Sequence, residues 1–458
     1  MKRKMAAKVI AAGLVVAMTA VGLSGCTFGF ASDPDDPNEV EEKIPIDMSV
    51  DCFQYDSSLN GTSITLLNSK AEIQVALEEM GKVFEEKSGV HVEVMPVTDG
   101  ESPYTKVVSL YNSGTPPTLS ILDTTDVIAL AEEKGEDLSG ENWTAEAEDY
   151  LTKVNGKVYS FPLCIEGRGI IYNKAAIEAA LGEEFDPSSI KTREDFIEIL
   201  EELVAAGVEK PISVAKEDWS LGAHLLQYIY ETYDGTSAGA QEIIEEIKDG
   251  SLDLESYDRM TGFLDTFDVL KKYNVAKADP LGADYDEMAI DLADGKTVFW
   301  VNGNWAWPNL EEAGAEKEDE YGFLPFFMSD DETDFANQMI QGSPSKQIMM
   351  DGQMASEEEK AAAREFLNWI VYSEIGQQML VNTCNLIPPF QNNPYEPADP
   401  LSRDIYEKVQ RGEAFNASAI VPNDHWSVLG AAMQKYLAGR SDREELIGSI
   451  EDYWAEQE

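Results

Sequence analysis

Ile64-Thr-Leu-Leu67, His91-Val-Glu-Val-Met95 and Leu119-Ser-Ile-Leu122 are three short strand-like runs, and what lies between them decides the fold. After the first run, Ile73, Leu77, Met80 and Phe84 recur at helical spacing. After the second, Val107, Val108 and Leu110 fall on another helix, which Gly114-Thr-Pro-Pro117 ends. Strand, helix, strand, helix, strand predicts a parallel, doubly wound α/β sheet with helices on both faces. In such sheets ligands sit beyond the carboxyl ends of the strands, where the strand order reverses. The segments just after two of the strands, Asn68 to Ala71 and Asp123 to Thr125, are therefore the first places to look for ligand contact.

Toward the C-terminus a helical region follows, with helix-like stretches at 195–206, 221–230, 240–248 and 260–273. A strand over 297–301 then ends in Asn302-Gly-Asn-Trp-Ala-Trp307. Residues 322–327 and 347–350 read as further strands, and 355–370 as a helix. No internal repeat interrupts this body of about 400 residues, a length that suggests two lobes rather than one core.

Toward the N-terminus the pattern changes character. Lys2, Arg3, Lys4 and Lys8 precede an apolar run from Val9 to Leu23, which closes on Leu23-Ser-Gly-Cys26. A basic start, a short apolar segment and small residues at its end describe a secretory leader, too short to span a bilayer. Leu-Ser-Gly-Cys resembles the lipobox of bacterial lipoproteins, in which the cysteine is acylated and becomes the new N-terminus. Residues 1–25 are thus expected to be removed and Cys26 lipidated, with each buried acyl CH₂ contributing roughly 0.8 kcal/mol to the anchor. Residues 26–60, rich in Asp, Pro, Glu and Ser, bury too little surface to order themselves and are expected to form a stalk.

Composition narrows the partners. Lys and Arg total 34 against 86 Asp and Glu, a net charge of −52. Losing the leader's four basic residues leaves 30 against 86, or −56. Such a surface repels nucleic acid and anionic lipid headgroups. Besides Cys26 there are Cys52, Cys164 and Cys384, far apart and odd in number, so neither a disulfide framework nor a zinc site is indicated. Small buried thiols are the simpler reading, with one long-range bridge left open. Three scattered histidines and the absence of a G-x-S-x-G elbow, an H-E-x-x-H helix or a P-loop argue against an enzyme. Neither cofactor nor metal is expected.

Three longer stretches carry a resemblance. Gly156-Lys-Val-Tyr-Ser-Phe-Pro-Leu-Cys-Ile-Glu-Gly-Arg-Gly-Ile-Ile-Tyr-Asn-Lys174 joins a short apolar strand to an acidic residue and a Tyr-Asn-Lys strand end. Asn302-Gly-Asn-Trp-Ala-Trp-Pro-Asn309 is an Asn-Gly-x-Trp segment, and residues 355–376 close a helix with Ser373-Glu-Ile-Gly376. In this order, across about 61–455, they resemble the extracellular solute-binding proteins of ABC sugar transporters, the maltose-binding-protein-like family. The resemblance implies a type II periplasmic-binding-protein-like fold: two doubly wound α/β lobes joined by three hinge crossings, here near Ile165, Gly322 and Val371. The lobes expected are 61–165 plus 323–371 and 166–322 plus 372–458. The resemblance also implies a monomer that carries a carbohydrate to membrane permease subunits, lipid-anchored on the extracytoplasmic face as Gram-positive lipoproteins are.

Sugar recognition sets the candidate residues. Pyranose C–H faces stack on aromatic rings, and hydroxyls need planar groups that donate and accept in pairs. Trp305, Trp426 and Trp219 are the stacking candidates, placed in the cleft by the resemblance. Trp369, spaced like core against Phe366, and Trp300, inside a strand, are set aside. The polar candidates are Glu166 on the first crossing, Asp123 and Thr124 after the third strand, and Ser69 and Lys70 after the first. Relatives use an Asp-Lys pair where this chain has Ser69-Lys70, so the ligand should differ from theirs. Asn302, Asn304, Glu217, Arg168 and His425 complete the set. The alternative kept open is the same fold holding a non-sugar solute such as a peptide or polyamine.

Overall fold

Apolar spacing explains the first elements directly. The computed structural model of the chain describes residues 51–98 and 101–457. The leader, the lipidation candidate Cys26 and most of the expected stalk lie outside the described residues. Strands β1 (Ser63–Asn68), β2 (His91–Pro96) and β3 (Leu119–Asp123) are parallel, with β1 between the other two. The helix Gln74–Ser88 joins β1 to β2 and buries Leu77, Met80, Gly81, Phe84 and Ser88, one stripe of a 3.6-residue repeat. Gly89 ends it at φ 77°, a left-handed position that costs glycine little. The helix Pro103–Ser113 ends the same way at Gly114.

The remaining strands are β4 (Lys153–Val154), β5 (Lys157–Val158), β6 (Ser160–Asn173), β7 (Ile212–Val214), β8 (Phe299–Gly303), β9 (Tyr321–Leu324), β10 (Ile340–Met350) and β11 (Ala414–Phe415). Among the described residues, nine of the eleven form one sheet in the order β2-β1-β3-β10-β6-β8-β7, with β11 on β10 and β9 on β6. The other two, β4 and β5, form a separate hairpin.

Two large cores sit at the two ends of this sheet. The first gathers Leu66, Phe84, Ile121, Phe161, Trp369 and Phe390; the second gathers Phe196, Phe263, Phe299, Phe327, Tyr436 and Trp454. The 14-residue β6 runs from one to the other, Phe161 and Leu163 in the first core and Ile170 in the second. Antiparallel β10 accompanies it, and their register slips between Ser343 and Lys346. Pro344, which has no N–H to give the ladder, lies in that slip.

The lobe boundaries differ from the expected ones in three places. β6 leaves the first core after Leu163 and enters the second at Ile170, a stretch that includes Ile165. The second crossing is not at Gly322: β9 pairs with Ile170 to Asn173 of β6, and Leu324, Phe326, Phe327 and Met328 belong to the second core. The chain crosses instead in β10, about twenty residues later. The third crossing is not at Val371 either, because Ile375, Met379, Leu380 and Phe390 stay in the first core. It comes where Ile387 bridges Ile165, before the helix Pro400–Arg411. A short apolar run fits either lobe equally well, so hydropathy cannot assign it. Part of the expected stalk also packs on the body: the Tyr55 ring lies 6.4 Å from Phe84, against the first core.

Candidate functional site

The crossings bring the ends of both half-sheets together, and charged residues collect there in pairs. Lys70 follows β1, is 3% exposed, and bonds Glu166 at the middle of β6, with Glu72 at 2.6 Å. The Ser345 hydroxyl donates to the other oxygen of Glu166. Burial alone would raise the Glu166 carboxyl, but Lys70 and the two hydrogen bonds outweigh it and hold it at about 2. Burial likewise opposes the Lys70 charge, and Glu166 and Glu72 keep it protonated. Asp123, at the end of β3, holds Lys346 of β10 at 2.7 Å, and the Thr124 hydroxyl donates to the Pro344 carbonyl at 3.0 Å. Arg168 pairs with Glu231, lies over the Tyr228 ring at 4.9 Å and donates through Nε to the His224 carbonyl at 2.7 Å. Every cation of the cluster therefore faces a carboxylate.

On the second lobe the same place is aromatic. The His224 ring lies 4.5 Å from Trp305 and 5.3 Å from Trp219, centroid to centroid. Tyr285 is 5.9 Å from Trp219, and its hydroxyl accepts from Asn302 Nδ2 at 2.8 Å. Trp305 lies so close over Gly303 that a Cβ there would sit 2.2 Å from the indole. Trp219 and Trp305 are half-buried, unlike Trp300 and Trp369, which are wholly enclosed as their spacing predicts. Asn304 faces the hinge rather than the rings: its Oδ1 accepts from Gly167 N at 2.9 Å and its Nδ2 donates to Ser402 at 3.2 Å. It ties the Trp305 segment to the crossing beside Glu166.

Other candidates stand apart or at the edge. Glu217 is half-buried with one carboxyl oxygen unpaired, and burial pushes its carboxyl up; Ser69 likewise keeps a buried, unpaired hydroxyl. Trp426 is half-exposed at the start of the helix His425–Leu437, and its carbonyl presses on Gly222 of the turn that carries His224. His425 is not in the cleft. It is wholly buried in the second core, 3.1 Å from the Tyr230 hydroxyl and ringed by Tyr453 and Trp454. Successive residues of a helix point about 100° apart, so adjacency to Trp426 carried no information about its direction.

The two lobes touch across the site. Asn423 Nδ2 donates to Asp126 Oδ1 at 2.5 Å, from the segment before the helix His425–Leu437 to the helix after β3. Burial and the charge of Asp123 raise the Asp126 carboxyl to about 7. On the second lobe a small cavity lined by Arg168, Ser220, His224, Tyr228 and Asn302 measures about 10 Å³. The sequence reading missed His224, Tyr285, Lys346, Ser345, Glu72 and Glu231. Of these only Ser343-Pro-Ser-Lys346, a polar break within a strand, leaves a mark in the sequence. Among the described residues no group of three or more His, Cys, Asp or Glu is arranged to hold a metal ion.

A sheet shared by two α/β lobes, crossed three times over a polar and aromatic cleft, is the architecture of a binding protein that closes by a hinge. The chain belongs to the bacterial extracellular solute-binding protein family, whose profile matches residues 79–402. It is 26% identical over 265 residues to the multiple sugar-binding protein of Streptococcus mutans serotype c. That match covers 55% of this chain, and the chain spans 59% of the length of this curated relative. RafE in complex with raffinose shares the fold at a TM-score of 0.69 and 18% identity, over 86% of this chain and 99% of that one. A chitin oligosaccharide binding protein superposes at 0.67 and 22% identity, over 87% and 99%. The fold is that of the type II periplasmic binding proteins.

Proposed function

We propose that the protein is the receptor of an ABC importer, capturing a neutral carbohydrate between its lobes and delivering it to membrane permease subunits. The observation that carries this reading is the pairing of half-buried rings, Trp219, Trp305 and Tyr285, with charges that are already neutralised in place. A charged solute would have to break one of these ion pairs, leaving a buried charge unpaired at a cost of about 3–5 kcal/mol. A polyhydroxylated ring needs no such exchange: its C–H face stacks on indole, and its hydroxyls meet Asn302, Ser69 and Glu217. The names of the relatives, sugar-binding in each case, point the same way.

Capture requires the cleft to open. The hinge strands β6 and β10 meet at a register slip, where few ladder bonds resist bending, and the hydrogen bonds Asn423–Asp126 and Asn416–Asp149 are contacts to release. A sugar then replaces the contacts the two lobes make with each other. The expected stalk and a lipid on Cys26 would tether this body outside the membrane, as a monomer.

The reading is tested by a thermal-shift panel of mono- and oligosaccharides, with peptides and polyamines beside them. A ligand at a hundredfold excess over Kd adds about 2.7 kcal/mol to stability, which raises Tm by a few degrees. A shift confined to one saccharide class supports the proposal. A shift with peptides or polyamines and none with saccharides overturns the carbohydrate assignment.

A further inference from the structure

His224 sits in an unusual turn. Ser220–Leu225 is π-helical, a geometry that inserts an extra residue and re-aims side chains, often at functional sites. The turn is fixed on both sides. A Cβ on Gly222 would sit 2.3 Å from the Trp426 carbonyl, and the His224 carbonyl is held by Arg168. The imidazole is thereby wedged between Trp219 and Trp305.

Three features together mark this ring as more than filling. Its Nδ1 is buried without a partner. The cavity it lines with Arg168, Ser220, Tyr228 and Asn302 measures about 10 Å³, the space of one water-sized group rather than a whole ring. Burial, reinforced by the Arg168 charge, holds the imidazole at about 3, so it stays neutral and offers one donor and one acceptor, the complement of a hydroxyl. An unpaired Nδ1 alone would not suffice, since His425 has one inside the second core. The cavity, the two indoles and the polar neighbours distinguish His224.

We infer that His224 is the specificity-determining residue of the cleft, its Nδ1 taking one hydroxyl of a pyranose stacked against Trp305 and Trp219. This rests on the carbohydrate reading of the site. The hydroxyl enters the cavity while the ring lies outside it, so the protein distinguishes sugars by whether they present a hydroxyl at that corner. A buried group left unpaired when that hydroxyl is missing is what rejects the wrong sugar.

The test is calorimetric titration of raffinose, stachyose, maltose and chitobiose, then of monodeoxy analogues of whichever binds, into wild type, His224→Ala, His224→Gln and Trp305→Ala. His224→Ala should weaken binding on the order of tenfold. One monodeoxy analogue should bind wild type about tenfold worse than its parent, yet bind His224→Ala equally with it. His224→Gln, which keeps a donor and an acceptor, should recover part of the loss and guards against misfolding of the alanine variant. If Trp305→Ala loses binding while both His224 variants bind as wild type, or lose all analogues equally, the His224 inference is overturned and the site reading stands. If no saccharide binds wild type, both fall together.

Discussion

Two histidines of this chain have nearly the same immediate surroundings and opposite meanings. His224 and His425 are each flanked by tryptophan or tyrosine rings within 6 Å, and burial holds each at about 3. His425 has only rings around it, and its Nε2 is bonded to Tyr230, which in turn accepts from the Trp454 indole at 2.9 Å. It is part of a closed core. His224 has Arg168, Ser220 and Asn302 beside its rings, around a cavity of about 10 Å³. Ring contact and neutrality are thus shared by packing and recognition. What separates them is whether the cluster closes on rings alone or borders a polar cavity.

The sharpest way to break that comparison is to truncate one tryptophan from each cluster. Trp454→Ala should destabilise the fold by about 3–5 kcal/mol in denaturant unfolding, because its indole is 2% exposed in the second core. Trp305→Ala should leave unliganded stability within about 1 kcal/mol of wild type and lower sugar affinity about a hundredfold, as central aromatic contacts do. Equal stability losses for the two would mean that Trp305 is core as well.

A smaller effect tests the enclosed histidine through pH. His425 titrates at about 3 when folded and near 6.5 when unfolded. Its contribution is therefore complete above pH 6.5 and is lost as pH falls from there toward 3, by about 2 kcal/mol between pH 7 and 5. Asp126 and Glu231, both raised to about 7 by burial, work in the opposite direction over the same range. The measurement is consequently a difference: the unfolding free energy of His425→Leu should fall less steeply than wild type on acidification. Parallel curves would mean His425 is not enclosed.

Much of the architecture was legible because local pattern and fold agree. Leu77, Met80 and Phe84 mark one helix face, and Gly114 stops the second helix where expected. The crossings were less legible. Tyr321-Gly-Phe-Leu324 is apolar on both sides and reads the same in either lobe, while the real crossing hides in the polar break Ser343-Pro-Ser-Lys346. The site was half legible. Glu166, Arg168 and Trp305 stand within quoted motifs, and Trp219 came from the resemblance. His224, Tyr285 and Lys346 come from three separate segments and meet only in space. His425 was chosen over His224 because it neighbours a tryptophan in the chain, whereas His224 neighbours two in the fold.

The most direct test of the carbohydrate cleft is calorimetric titration of the saccharide giving the largest thermal shift, into wild type and into the Trp219→Ala/Trp305→Ala double variant. One saturable site is expected in wild type and no measurable binding in the double variant, whose unliganded Tm stays within a few degrees. Equal affinity in both proteins would place the ligand elsewhere and contradict the site.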